Sequence, residues 1–261
     1  MMKKLGELSI GSKIADINCP HIILLLAGLN LPGYPGAVCL SENVVRLGCF
    51  DAREPKNPDF DCARYGNNHY PVSNIHQWLN ADENDWFKPA HEYDAPPVLE
   101  NIFNGDDPYE DEPGFLTAFS DVFKKGLTTA DIRTCRTQED GAVEVTKAKV
   151  WLLSGTEIGF DKSGAEGCYL PLFDLPETKV AFNQMAGWPY FNPTDGWPYF
   201  LRSRSEAFKD SVRLVNRGGG EAHDYAYHGY NGIRPAFLLK SDLPVAKESG
   251  NAGLYLTGIS S

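Results

Sequence analysis

GWPYFLRSRSEAFKDSVRLVNRGGGEAHDYAYHGYNGIRPAFLLK, residues 196–240, is the stretch whose reading decides the fold. Within it GWPYFLRS, DSVRLVNRGG and NGIRPAFLLK are rich in aromatic and β-branched residues, so three successive β-strands are expected, separated by polar, Gly-rich and Tyr-rich segments. Each carries an arginine among apolar neighbours: Arg202, Arg213 and Arg234. A guanidinium in such a place satisfies backbone carbonyls or pairs with a buried carboxylate, because its planar fork can do both. All three are read as scaffold. Between the strands lie RSEAFKDS (Arg204 to Ser211) and EAHDYAYHGYN (Glu221 to Asn231). Tyr, His, Asp, Asn and Gly dominate the second, which is the palette of binding loops: Tyr supplies large rigid contact area while small polar residues adapt.

Outward from this region, the pentapeptide Gly-Trp-Pro-Tyr-Phe occurs twice, at Gly187 to Phe191 and at Gly196 to Phe200. The 261 residues bound one or two compact domains, and 18 Pro with 25 Gly imply many turns and few long helices. A formal charge of -11 with no basic run excludes a nucleic-acid partner. The start, MMKKLGELSIGSKIAD, has no apolar stretch after its lysines and is not read as a signal peptide. Cytoplasmic synthesis is expected, with a phage particle or the cell surface as later destinations. IILLLAGL, Ile22 to Leu29, is too short to span a bilayer and fits a buried strand, so no membrane insertion is expected. Six cysteines at irregular spacings (Cys19, Cys39, Cys49, Cys62, Cys135, Cys168) are read as buried free thiols.

Further upstream, LGELSIGSKI alternates apolar and polar residues and predicts a strand, as AVCLSENVVRLGCF does less cleanly. Asp51 to Asn74 is dense in Asp, Asn and Pro and predicts an ordered, irregular loop. A short helix is expected over Asn74 to Asn80, capped by Ser73, with Ile75, Trp78 and Leu79 on one face. A second is expected over EPGFLTAFSDVFKKGL, from Pro113 near its start to Gly126 after its end. The acidic set Asp106, Asp107, Glu110, Asp111 and Glu112 reads as a solvated turn, with calcium oxygens as the alternative. VEVTKAKVWLLS predicts a β stretch, and Ser154 with Glu157 has capping-box spacing. P-loop, dinucleotide-binding, zincin and nucleophile-elbow motifs do not occur. His69, His76 and His91 are assigned structural or surface roles.

The blocks W-P-Y-F-L-R-S, S-V-R-L-V-N-R-G-G and A-Y-H-G-Y-N-G-I-R-P-A-F-L-L, from Trp197 to Leu239, resemble the C-terminal region of an uncharacterised bacterial and prophage family. Upstream, D-A-R-E-P-K-N-P-D, Y-G-N-N-H-Y, S-N-I-H-Q-W-L-N, D-A-P-P, G-F-L-T-A-F-S and K-V-W-L-L-S-G-T-E-I-G continue the match in order from Asp51 to Gly159. That family resembles variable proteins of diversity-generating retroelements, with a C-type-lectin-like fold akin to formylglycine-generating enzymes. The resemblance implies a single α+β domain of irregular antiparallel sheets, two main helices and many loops. It also implies a non-enzymatic binding protein, without a cofactor or metal, recognising a protein or glycan ligand, and a homo-oligomer is one possible assembly. The expected ligand-binding face comprises positions reachable by adenine-directed diversification: Pro198, Arg204, Ser205, Phe208, Asp210, Ser211, Leu214, Arg217, His223, Asp224, Tyr225, His228, Tyr230 and Asn231. Trp197 and Phe200 are expected in the core. Three rival readings are a formylglycine-generating enzyme, whose C-terminal copper-holding cysteine pair has no counterpart after Cys168, a calcium-dependent lectin, whose Glu-Pro-Asn type of sugar-binding motif is missing from the C-terminal half, and a structural component of a phage tail tip.

Overall fold

The apolar run around Leu24 to Leu26 forms the middle of the largest sheet. The computed structural model describes residues 2–103, 107–135, 142–161, 164–183, 194–205, 210–250 and 253–258. In chain order the strands are β1 (Met2–Lys4), β2 (Lys13–Asp16), β3 (Cys19–Leu31), β4 (Tyr34–Ser41), β5 (Arg46–Leu47), β6 (Ala130–Cys135), β7 (Val143–Ala148), β8 (Val150–Leu152), β9 (Tyr199–Arg204), β10 (Ser211–Val215), β11 (Glu221–Tyr225), β12 (Gly232–Ile233), β13 (Pro235–Leu239), β14 (Pro244–Lys247) and β15 (Leu254–Thr257). The α-helices are α1 (Phe60–Tyr65), α2 (Asn74–Asn80) and α3 (Asp121–Gly126). The architecture is mixed α+β and mostly strand. One sheet runs β1-β14-β15-β2-β3-β4-β13-β8, a second β11-β10-β9-β12-β5, and β6 pairs with β7. Pairing is antiparallel except at β15 with β2 and β12 with β9.

β3 and β4 are buried over most of their length, as strands covered on both faces must be. β13 lies between β4 and β8, and its Phe237 ring meets Phe115, Phe119 and Phe123 at 5.9, 5.8 and 5.8 Å between centroids. α2 has the expected limits: Ser73 Oγ accepts from the His76 amide at 3.3 Å, and Ile75, Trp78 and Leu79 are buried.

Several expectations are corrected. LGELSIGSKI forms a 3-10 turn over Leu5–Glu7, and its strand begins only at Lys13. Leu5 and Leu8, three residues apart, both enter the core, and backbone bonds from Leu5 to Leu243 and from Gly6 to Ser241 hold that turn. The helix expected over 113–126 is two pieces, a 3-10 turn at Phe115–Ala118 and α3. Ser120 breaks it, because its hydroxyl accepts from the Phe123 amide at 3.2 Å and donates to Asp16 at 2.5 Å, which favours an N-cap over helix continuation. The irregular loop from Asp51 to Asn74 contains α1, capped by Asp59, which accepts from the amides of Asp61 and Cys62. VEVTKAKVWLLS divides into β7 and β8 in separate sheets, and the Asn80 side chain clasps the crossing by bonding Lys149 N and Val150 O.

The C-terminal region is also rearranged. Of the three expected strands, β9 and β10 pair as neighbours, but NGIRPAFLLK splits: β12 stays with β9, while β13 joins the large sheet. Arg234 sits at this crossover, donating to the carbonyls of Ser41 (2.9 Å), Thr178 (2.9 Å) and Glu42 (3.1 Å). The segment read as a polar loop contributes β11, an edge strand paired with β10. Trp197 and Phe200 are buried, as expected. Gly196, which opens the second pentapeptide, cannot be another residue without rearrangement, since a Cβ there would lie 2.0 Å from the Arg217 carbonyl oxygen. The first pentapeptide lies outside the described residues.

Candidate ligand-binding face

Four polar blocks far apart in sequence close into one buried network that positions α1. Asp51 accepts from the amides of Asn74 (2.8 Å) and Asn67 (3.0 Å), and the Asn74 side chain accepts from Ala52 N (2.8 Å) and donates to Asp94 (3.3 Å). Glu54, fully buried, takes bonds from the side chains of Asn57 and Asn67 and lies 3.2 Å from His91. Burial raises the Asp51 carboxyl well above the ordinary carboxylate range; the Asn74 and Asn67 amides oppose the rise, and Asp94 and Glu54 add to it. The chain leaves α1 through Gly66, at φ +81°, where a Cβ would lie 2.4 Å from the Asp51 carbonyl oxygen. Tyr65 is thereby fixed at the end of a helix anchored from below.

A second knot secures β9. Arg202 and Glu157 are both fully buried and paired through two bonds, 2.6 and 3.0 Å, and Arg202 also donates to the carbonyls of Leu152, Arg133 and Glu166. Ser154 and Glu157 complete the expected capping box, with side chain to amide bonds of 2.8 and 3.1 Å, and Tyr34 donates to the same carboxylate. Arg213 pairs with Glu221 at 2.6 Å and Asp161 at 3.3 Å. The three arginines are scaffold, as the sequence indicates.

On this frame three segments meet edge to edge. The Tyr227 amide donates to the Tyr65 carbonyl (2.9 Å), and the Phe103 amide donates to the Tyr227 carbonyl (3.1 Å). Their rings assemble accordingly. Tyr65 stacks on Tyr225 at 4.2 Å, Phe103 meets His228 at 4.6 Å and Tyr227 at 5.7 Å, and His228 lies 5.4 Å from Tyr230. Tyr65, Tyr225, Tyr227, His228 and Tyr230 are partly exposed and Phe103 is exposed, so this is an aromatic platform open to solvent.

Asp224 is the post beneath it. One carboxylate oxygen accepts from His228 Nδ1 (2.6 Å) and the Tyr225 amide (2.9 Å), the other from the Tyr230 hydroxyl (2.7 Å) and the Asn231 side chain (2.8 Å). Burial acts to raise its pKa, but the bonds from His228, Asn231 and Tyr230 outweigh burial and hold the carboxyl below its ordinary value. Trp197 Nε1 donates to the Tyr230 carbonyl at 2.9 Å, which ties the loop to the framework tryptophan. A shallow recess of about 240 Å³ adjoins the platform, lined by Ser211, His223, Asp224 and Tyr225.

Residues 37–241 match the family described as Domain of unknown function (DUF6273). The chain belongs to that family. The matched span begins in β4 and ends just after β13, so it includes the whole platform and both buried networks except Tyr34. No curated protein and no solved structure matches the chain.

Of the residues expected on the binding face, His223, Asp224, Tyr225, His228 and Tyr230 come together at the recess and platform, with Asp210 beside them through its bond from the Ser211 hydroxyl, and all are at least partly exposed. Ser205, Ser211, Leu214 and Asn231 are buried and do not belong to a displayed surface, although Ser211 forms part of the recess wall. The physical reasons are specific: Leu214 points into the core from β10, Asn231 is consumed by Asp224, and Ser205 and Ser211 bond through their backbones where β9 passes to β10. Arg217 is exposed elsewhere, over the Trp197 ring at 5.2 Å, and Pro198 lies beside Gly232. Arg204 is partly exposed at the end of β9. Phe208 lies outside the described residues.

Sequence reasoning did not single out Tyr65, Phe103 and Tyr227 of the platform. Tyr65 stood inside a quoted block and Tyr227 inside the Tyr-rich segment, but only the backbone bonds joining 65, 103 and 227 reveal a common surface.

The histidines have structural settings: His69 lies 2.8 Å from Glu144, His91 Nε2 lies 3.2 Å from the Glu54 carboxylate, and burial lowers His76 to a pKa of about 4. In the acidic turn, Asp107 and Glu112 pair with Arg46 at 3.3 and 3.7 Å, and Arg46 lies over the rings of Trp78 and Tyr109. That turn is therefore partly spent on a buried arginine, and Asp106 lies outside the described residues. Among the described residues no group of three or more His, Cys, Asp or Glu side chains is placed to hold a metal ion. All six cysteines are free, with Cys19, Cys39 and Cys49 buried and Cys62, Cys135 and Cys168 half-buried.

Proposed function

We propose that this chain is a non-enzymatic recognition module with a C-type-lectin-like frame, and that the platform of Tyr65, Phe103, Tyr225, Tyr227, His228 and Tyr230 is its ligand-binding face. The observation that carries the reading is the buttressed exposure of these rings. A protein that needed them only for its core would bury them, whereas here Asp224 spends four hydrogen bonds holding a partly exposed surface in one shape. Rings fixed before binding lose little entropy on contact. Irregular antiparallel sheets with short helices and long connecting segments support the lectin-like comparison.

Diversification by a retroelement belongs to the same proposal, in a narrower form than the sequence suggests. Exposed positions whose side chains carry no part of the frame can vary without harm: Asp210, Arg217, His223 and Tyr225 are open to change, whereas Leu214 is buried and His228, Tyr230 and Asn231 hold the Asp224 carboxylate.

The test is binding to printed protein and glycan arrays by the intact chain and by a Tyr225→Ala/Tyr227→Ala variant. Signals on discrete spots that the variant loses support the proposal; signals unchanged in the variant would place recognition elsewhere. Sequencing the locus across a population checks diversification: substitutions confined to the exposed set support it, and an invariant segment removes it.

A further inference from the structure

Two arginines stand at the edge of the platform with donors unspent. Arg64, exposed on α1, lies 5.7 Å from the Phe60 ring and 5.3 Å from the Tyr65 ring, and its guanidinium has no hydrogen bond or ion pair with another described residue. Arg53 donates one bond to the Glu100 carbonyl, while its buried Nε has no hydrogen-bond partner among the described residues. The backbone places both near Tyr227: the Arg53 amide donates to the carbonyl of Asn101, two residues before Phe103, and Arg64 precedes Tyr65, while Phe103 and Tyr65 both bond the Tyr227 backbone; both charges act on the Tyr227 hydroxyl. In a chain of net charge -11, where Arg46, Arg202 and Arg213 are each paired with carboxylates, two guanidiniums without a carboxylate partner among the described residues stand at one edge of an open aromatic surface whose other edge carries Asp210 and Asp224. A guanidinium held flat by ring faces presents its fork to a carboxylate or sulfate, and two such donors discriminate an anion from a neutral group.

Size argues for a small ring-bearing ligand. An aromatic side chain offers roughly 200 Å² when fully exposed, so this partly buried set presents roughly 300–400 Å². A stable protein partner covers roughly 800 Å² per side. The adjoining recess of about 240 Å³, lined by Ser211, His223, Asp224 and Tyr225, has polar walls and lies below the range of about 300–1,000 Å³ typical of drug-sized sites. Sugar rings stack their C–H faces on tyrosine and carry hydroxyls for such walls.

We infer that the platform binds an acidic glycan, with sugar rings on Tyr65, Tyr225 and Tyr227 and a carboxylate or sulfate on the Arg64 guanidinium. This rests on the recognition reading above and adds the ligand class.

The experiment uses an array of uronate-, sialate- and sulfate-bearing oligosaccharides printed beside their neutral counterparts, with peptide and protein spots on the same slide. The strongest pair is then titrated against the intact chain and Arg64→Gln. Arg64 is exposed and carries none of the buried networks, so the variant is expected to keep its melting temperature, which is checked first. The expected result is at least about tenfold tighter binding of the acidic member, with Arg64→Gln erasing that preference. Equal binding of acidic and neutral members, or a preference that survives Arg64→Gln, overturns the acidic assignment while leaving the recognition reading intact. Signals on protein spots alone, lost in Tyr225→Ala/Tyr227→Ala, overturn the glycan assignment. No signal on any spot overturns both.

Discussion

Replacing Glu157 by Gln removes one charge from a pair in which both side chains are fully buried. Arg202 then keeps its carbonyl partners at Leu152, Arg133 and Glu166, but loses the carboxylate that balanced its charge through bonds of 2.6 and 3.0 Å. Breaking a buried pair from one side costs about 3–5 kcal/mol, because an uncompensated charge remains in a fully buried site. A fold of this kind has only about 5–15 kcal/mol in total. With about 2–4 °C of melting temperature per kcal/mol at this chain length, Glu157→Gln should melt roughly 6–20 °C lower. Arg202→Met should cost more, since it also strands carbonyls at about 1–3 kcal/mol each. The double variant should cost less than the sum by on the order of 2 kcal/mol, since neither charge then remains. Urea titration followed by tryptophan fluorescence measures all three. A cost under about 1 kcal/mol for Glu157→Gln, or strict additivity in the double variant, would refute the reasoning.

Other consequences follow from single sites. Burial holds His76 at a pKa of about 4 against an ordinary 6.5, so the native state refuses a proton that the unfolded chain accepts. Its contribution is complete above 6.5 and is lost as pH falls from 6.5 toward 4; urea midpoints across that window should drop for the natural chain and less for His76→Gln, and equal drops would remove the assignment. Gly196→Ala forces a methyl to within 2.0 Å of the Arg217 carbonyl oxygen and should destabilise by about 1–3 kcal/mol in thermal melts. A neutral result there would mean that the approach of β9 to 217 relaxes freely. Burial pushes the Cys39 thiol up to about 12 and, with Asp16 adding, Cys19 to about 11, so a thiol reagent near neutral pH should leave these silent in the native protein and find all six cysteines only after unfolding. Fast native labelling of Cys39 would contradict its burial.

What the sequence determined by itself is local. Ser73 before Asn74 to Asn80, the run at Ile22 to Leu29, the capping box of Ser154 and Glu157, and the arginines in apolar strands all act through groups within a few residues of one another or through burial that their neighbours announce. The same locality explains the failures. Ser120 looked like a helix interior until Asp16, 104 residues away, claimed its hydroxyl. NGIRPAFLLK read as one strand because nothing nearby reveals that Arg234 must reach Ser41 and Thr178. The proposed binding face was half legible: the composition of 221–231 pointed to it, but codon reach selected Leu214 and Asn231, which a strand buried on both faces and the Asp224 post keep inside. Only tertiary structure brought Tyr65, Phe103 and Arg64 to the same surface, because backbone bonds between 65, 103 and 227 join segments whose sequences carry no mark of one another.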